Sequence, residues 1–250
     1  MQYSLSESFR AVVYGSDVVL LDLSDNQYNI LNCEAARALQ DILSLSKEES
    51  SVTPRKQLSS SKSANLQSSQ VWIEEFLNAK LIKKGCPQSE VCLARPLKEG
   101  GLKDYTWVLQ NNQGEINNLS KVEIFKSLSA LITTNRILQK QGIKGVINLL
   151  HKQASQIKEW NTPPVHSLNY LMASLDRACQ FYPRKVVCLA WSSTLTYLCL
   201  KRGWFVQFVI GVQLHPFLAH AWVEREGKVI GDREDINSYL GILLKEPQRS

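Results

Sequence analysis

Residues 215–232 read His-Pro-Phe-Leu-Ala-His-Ala-Trp-Val-Glu-Arg-Glu-Gly-Lys-Val-Ile-Gly-Asp, with a histidine at position 220 and an aspartate at 232. The apolar run Leu218–Val223 reads as a strand, Arg225-Glu226-Gly227 as a turn, and Lys228 onward as the returning strand. Parity decides whether His220 and Asp232 face each other. A three-residue loop, Arg225–Gly227, pairs Glu224 with Lys228, Trp222 with Ile230 and His220 with Asp232. A two-residue loop pairs Asp232 with Ala221 and turns the carboxylate to the other face. The expected loop is the three-residue one. Upstream, Trp204–Val212 reads as a neighbouring strand after Gly203.

A nucleophile for this pair stands earlier in the chain. Pro183-Arg184-Lys185 precede a helix that carries Cys188 in its first turn. Unpaired N–H groups and partial positive charge at a helix start favour the thiolate, the nucleophilic form. A cysteine in such a place is, by itself, most often a packing residue. With His220 and Asp232 it makes a set with three roles. Cys188 attacks a carbonyl, His220 moves the proton, and Asp232 holds the imidazole tautomer and stabilises its cation. The Cys188 N–H is an oxyanion donor, and Gln180 is the candidate for the second. Trp191 and Trp222 read as packing groups, His215 as a loop residue. A zinc site on Cys188 and His220 lacks a third and fourth ligand. No C-x-x-C pair or Gly-x-x-x-x-Gly-Lys loop occurs, so no metal and no nucleotide cofactor are expected.

The chain has 250 residues and a mass of 28.3 kDa, enough for two domains. Hydrophobic residues make up 44% and charged residues 21%, which excludes a largely disordered protein. Residues 1–95 hold 10 basic and 11 acidic side chains, and residues 96–250 hold 19 and 12, so the net +6 resides in the C-terminal part. Met1–Glu7 has neither a basic nor an apolar signal region, so a cytoplasmic protein with reduced thiols is expected. The most apolar stretch, Val186–Leu200, is too short and too rich in Ser and Thr to span a membrane.

Phe9–Tyr14, Asp17–Asp22 and Gln27–Leu31 read as three short strands separated by turns at Gly15-Ser16 and Asp25-Asn26. Asn32 reads as the N-cap of a helix to about Leu43. Ten serines in residues 44–70 read as a mobile loop. A second helix from Val71 is expected to end at Lys83-Lys84-Gly85. A small sheet with an open edge can take up a peptide as an added strand; a winged-helix domain with another partner has the same pattern. No Lys/Arg-rich recognition helix occurs in 33–43 or 71–84, so no nucleic-acid partner is expected. Residues 86–118 read as a linker, with Tyr105–Leu109 a possible strand. Residues from 119 read as helices broken near Gly142 and Gly145 and stopped at Pro163-Pro164, with a further helix from about Ser167 to Cys179. The class is α+β.

Two resemblances follow from particular strings. Val18-Val19-Leu20-Leu21-Asp22-Leu23 with Gln27-Tyr28-Asn29-Ile30-Leu31-Asn32 resembles the RiPP recognition element. This winged-helix-like domain binds leader peptides of ribosomally made, modified peptides. The resemblance implies a leader lying along the third strand near Tyr28 and Ile30, and against the later helix around Trp72, Phe76 and Leu77. Val187-Cys188-Leu189-Ala190, Lys201-Arg202-Gly203, Val209–Val212, Pro216–Glu224 and Gly231-Asp232 resemble the lasso-peptide maturation B proteins. Their order of Cys helix, His strand and Asp strand is that of transglutaminase-like, papain-like folds. The resemblance implies a recognition element over 1–85, a linker over 86–118 and a cysteine leader peptidase over 119–250, with Cys188, His220 and Asp232 as triad. It further implies a precursor peptide as substrate and an asparagine-synthetase-like lasso cyclase as partner, with any ATP dependence residing in that cyclase. An acyl transferase on the same fold, or a non-catalytic scaffold delivering the precursor, are the alternatives.

Overall fold

The structure, a computed structural model, describes residues 2–48, 62–85, 92–93, 102, 105–107, 109 and 118–248. The chain divides into two compact units, residues 1–93 and 94–250. Both mix helices and antiparallel strands, the α+β class read from the sequence.

In the first unit, β1 (Tyr3–Leu5) is followed by β2 (Phe9–Tyr14), β3 (Asp17–Asp22) and β4 (Gln27–Leu31). Alternation and turn residues place the last three as expected, and Asn32 Oδ1 accepts the Ala35 N–H at 2.9 Å to cap α1 (Cys33–Glu48). α2 (Lys62–Asn78), β5 (Ile82–Lys84) and β6 (Cys92–Leu93) complete the unit. The main sheet has the order β4-β3-β2-β6, and β1 pairs with β5. Val18, Leu20, Ala36, Leu39, Phe76 and Leu81 meet in its core.

Two expectations differ here. The second helix ends at Asn78, not at Gly85. Lys80 takes a left-handed φ of 56°, the Lys80 N–H donates to Leu77 O at 3.0 Å, and the Leu81 N–H donates to Phe76 O at 2.8 Å. That is a Schellman cap closed by a lysine. Leu81 and Ile82 suit a strand as well as a helix, and pairing of Leu5 with Ile82 decides for strand. The serine-rich stretch is also partly helical: α1 runs to Glu48 and α2 starts at Lys62, while 49–61 lie outside the described residues. Serine costs a helix only a few tenths of a kcal/mol, about as much as many residues that helices accept.

The second unit begins with α3 (Lys121–Ala154), kinked at Gly142, whose φ of 66° and ψ of −163° leave the helix. The break expected from the sequence is there; Gly145 lies within the helix beyond it. α4 (Val165–Phe181) and α5 (Cys188–Leu200) follow, then β7 (Gln207–Gln213), β8 (Leu218–Arg225), β9 (Lys228–Ile230) and β10 (Gly241–Glu246). The antiparallel sheet has the order β10-β7-β8-β9. α5 is buried along most of its length, and Leu195, Leu198 and Cys199 pack with Leu131, Leu171, Leu175 and Val223. A helix with no charged residue on any side suits such a central place. A second cluster joins Leu102, Val209, Trp222, Ile236 and Leu240. Leu102, Tyr105, Trp107 and Leu109, from the stretch read as linker, thus pack within this unit, and 105–107 are not a strand.

Candidate active site

The hairpin that carries His220 has a two-residue loop. Arg225 pairs with Lys228, Glu224 with Val229 and Val223 with Ile230. Glu226 and Gly227 both take positive φ, 52° and 78°, the turn whose twist matches paired strands. The three-residue register expected from the sequence is therefore not formed. Continued in this register, Asp232 would stand opposite Ala221 with its carboxyl on the wrong face. The strand does not continue. β9 ends at Ile230, and Gly231 takes a left-handed φ of 66°. This reverses the chain and brings Asp232 back to His220: Oδ2 lies 2.7 Å from Nε2. Parity fails at Asp232 because the rule holds only while the backbone stays extended.

Gly231 is required for a second reason. A Cβ there would lie 2.4 Å from Trp191 Cη2 and 3.1 Å from Met172 Sδ. Trp191 lies one turn beyond Cys188 on α5, and its indole N–H donates to Asp176 Oδ1 at 2.8 Å. The helix that carries Cys188 and the turn that carries Asp232 are therefore packed directly on each other.

Cys188 is the first residue of α5, and the first intrahelical bond of its turn runs from the Trp191 N–H to Val187 O. Its thiol is hydrogen-bonded to the His220 ring. Asp232 takes Nε2 of that ring. Burial disfavours the thiolate, but the hydrogen bond and charge of His220, with backbone hydrogen bonds at Ala221 and Leu189, outweigh it. The Cys188 pKa falls below its ordinary value. Burial likewise disfavours the imidazolium, and hydrogen bonds and charge from Asp232 and Cys188 outweigh it, raising His220 to about 9. Both shifts favour a thiolate–imidazolium pair. By contrast, burial raises Cys179 to about 12 and holds Cys199 above the ordinary thiol value.

A pH dependence follows, with its sign fixed by these shifts. The lowered thiol keeps the thiolate to a lower pH than an ordinary thiol does, and the raised imidazole keeps its proton until about pH 9. Reactions needing both charges are expected to trace a bell whose alkaline limb lies near pH 9. Alkylation of Cys188 by iodoacetamide at pH 6.5, followed by peptide mapping, checks the acidic side. A rate no higher than that of a free thiol would contradict the pairing.

The imidazole is enclosed. The Trp222 ring stacks alongside it at 6.1 Å, and the Tyr105 ring meets it edge-on at 5.1 Å. The Tyr105 hydroxyl donates to Asp232 Oδ1 at 2.5 Å and lies 3.3 Å from His220 Nε2. The Arg233 N–H donates to the same Oδ1 at 2.7 Å. Sequence reading missed Tyr105; nothing in its spacing marks it, because it lies 127 positions from its partner. Gln180, the candidate second oxyanion donor, is exposed, and its side-chain oxygen accepts from Arg177 at 2.8 Å. It lines a cavity of about 350 Å³ with Thr106, Trp107, Arg184, Lys185 and Val186. A larger cavity, about 480 Å³ beside Glu123, Lys126 and Arg202, includes none of the three site residues. Among the described residues no group of three His, Cys, Asp or Glu is placed to hold a metal, and no helix is long and apolar enough to cross a membrane.

In the first unit, Tyr28 and Ile30 lie on β4, at the edge of its sheet. Ile30 is 53% exposed and Tyr28 is half-buried. On α2, Trp72 and Leu77 are half-buried, but Phe76 is only 5% exposed and belongs to the core beneath Trp72. Helical spacing groups Phe76 with its neighbours without showing which of them reach the surface.

Residues 131–244 match the model of the transglutaminase-like superfamily. Over 58 residues the chain is 34% identical to the microcin J25-processing protein McjB of Escherichia coli. That stretch covers 23% of this chain and 28% of the relative, so the chain spans little more than a quarter of the relative's length. No solved structure matches the chain. The transglutaminase-like order read from the sequence strings agrees with the model matched over residues 131–244.

Proposed function

We propose that this chain is a cysteine leader peptidase of lasso-peptide biosynthesis. The observation that carries the reading is the convergence of Cys188, His220 and Asp232, with the thiol lowered and the imidazole raised. The Cys188 thiolate attacks the carbonyl at the leader–core junction. The developing oxyanion meets the Cys188 N–H at the start of α5, and His220 passes its proton to the leaving core amine. Water, deprotonated by His220, then releases the leader and restores the thiol. Asp232 fixes the ring throughout. These steps use only side chains, backbone and water; any ATP consumption falls to the partner cyclase that receives the free core amine. Similarity to a microcin-processing protein supports the same role.

The first unit is proposed as a RiPP recognition element of winged-helix type, holding the leader along the open edge of β4 beside Trp72 and Leu77. Tethering the leader raises the local concentration of the scissile bond at Cys188 to about millimolar for a short connection, so a weak cleft can still act on one precursor. Ile30→Asp is expected to weaken leader binding roughly tenfold, the effect of losing about 1.4 kcal/mol of apolar contact. Fluorescence anisotropy of a labelled leader peptide measures it, with Cys188 alkylation unchanged as control. Unaltered leader affinity would remove β4 from the binding surface.

Intact-mass analysis of the precursor after incubation tests the function as a whole. Hydrolysis gives leader and core whose masses sum to the precursor plus one water. A leader carrying an added amine instead would identify an acyl transferase, and an uncleaved but tightly bound precursor would identify a delivery scaffold.

A further inference from the structure

Leu102, Tyr105 and Trp107 are each held within the second unit by a partner distant in sequence. At Leu102, the buried Gln213 side chain holds both backbone groups: Gln213 Oε1 accepts the Leu102 N–H at 3.0 Å, and Nε2 donates to Leu102 O at 3.1 Å. At Tyr105, the hydroxyl binds Asp232. At Trp107, the indole packs on Trp191 with ring centroids 6.4 Å apart. Trp191 is the same ring that abuts Gly231. These residues therefore touch the acid directly through Tyr105 and the turn that carries it through Trp107 and Trp191.

The Asp232 carboxylate has two oxygens with different duties. Oδ2 faces His220 at 2.7 Å, and Oδ1 accepts from both Tyr105 and the Arg233 N–H. Asp232 sits just past a left-handed glycine, outside any strand, so no ladder holds its backbone. The two donors on Oδ1 are what fix the carboxylate's rotation. Of these, the Arg233 amide is local and moves with the turn. Tyr105 is anchored from elsewhere in the fold, and of the two donors on Oδ1 it is the one that does not move with the turn. We propose that Tyr105 is a positioning residue of the catalytic centre, holding Asp232 in register with His220 from a part of the second unit that lies before its first helix in the chain. The inference rests on the peptidase reading for its kinetic consequence, but not for its structural one. Tyr105 stays protonated through the working range, because burial and then the hydrogen bond to Asp232 raise its pKa. It is thus a permanent donor.

Tyr105→Phe in the full chain removes the hydroxyl and keeps the ring against His220. Hydrogen bonds to a charged group are worth ~1.5–3 kcal/mol, so kcat for precursor cleavage is expected to fall about 10- to 150-fold with KM unchanged. The pH at which Cys188 becomes reactive toward iodoacetamide is expected to rise back toward that of an ordinary thiol, since a freely turning carboxylate supports the imidazolium less. Leu102→Ala serves as the stability control. It opens a cavity three residues upstream and lowers Tm without touching the hydroxyl, and the alkylation profile is expected to stay in place. Should Tyr105→Phe melt early, its profile is compared with that of Leu102→Ala at a temperature where both are folded. An unmoved alkylation profile in Tyr105→Phe overturns the proposal, as does an equal movement in Leu102→Ala. Absence of precursor cleavage by the wild-type chain, with the alkylation shift present, overturns the peptidase reading and supports the positioning role.

Discussion

Cys188→Ala is expected to abolish precursor cleavage while leaving leader affinity as it was. Removing a nucleophile that works as a unit with its base costs on the order of 10⁵–10⁶ in rate, and the remaining His220 and Asp232 have nothing to activate but water. The leader-binding residues proposed in the first unit are untouched, so anisotropy with a labelled leader should return the wild-type Kd. Intact-mass analysis after prolonged incubation reads the cleavage. Residual turnover above about one part in 10³ of wild type would exceed what the oxyanion donor and binding can supply without a nucleophile, and would move the nucleophile elsewhere. Loss of leader binding together with cleavage would mean that the substitution had damaged the fold.

The second large effect falls on a residue with no side chain. Gly231→Ala adds one carbon where a left-handed φ of 66° disfavours it and where Trp191 Cη2 would lie 2.4 Å away. The conformational penalty is ~1–2 kcal/mol, and overpacking adds another ~1–3 kcal/mol. Around 3 kcal/mol in a unit of this size corresponds to a fall of about 6–12 °C in Tm. The chain can escape only by opening the turn, which carries Asp232 off His220, so kcat is expected to drop by about 10²–10⁴. Adding Trp191→Phe removes the offending ring carbons but not the φ penalty. Because Trp191→Phe also removes the donor to Asp176, the comparison is with that variant alone: Gly231→Ala should cost less Tm on the Trp191→Phe background than on the wild type, as differential scanning calorimetry would show. A Gly231→Ala chain with wild-type Tm and kcat would show that this glycine does not place the acid.

These residues also mark where the sequence is readable and where it stops. Periodicity located β2, β3 and β4, and the Asn32 cap, because each depends on neighbours within a few positions. The cysteine, histidine and aspartate were recognisable because a nucleophile, a base and a carboxyl group are chemically conspicuous. How His220 and Asp232 meet was misread. An extended strand needs a three-residue loop to bring them face to face, whereas the chain uses the shorter loop and then bends at Gly231. The glycine was visible, but its φ depends on Trp191 and Met172, forty and fifty-nine positions earlier. Tyr105 and Gln213 were invisible for the same reason: their partners are 127 and 111 positions away. The end of α2 failed more locally, since a left-handed lysine carries no compositional sign of a helix stop.

The first unit's sheet ends at β4, whose outer margin bears Gln27, Asn29 and Ile30 as exposed side chains. A border open to an added strand is equally available to a second copy of itself, and unguarded borders invite aggregation. Two amides and a single aliphatic make a poor adhesive between like molecules, while still presenting one greasy foothold. If the proposed leader docks there, solubility before it arrives and grip once it does are set by the same three side chains.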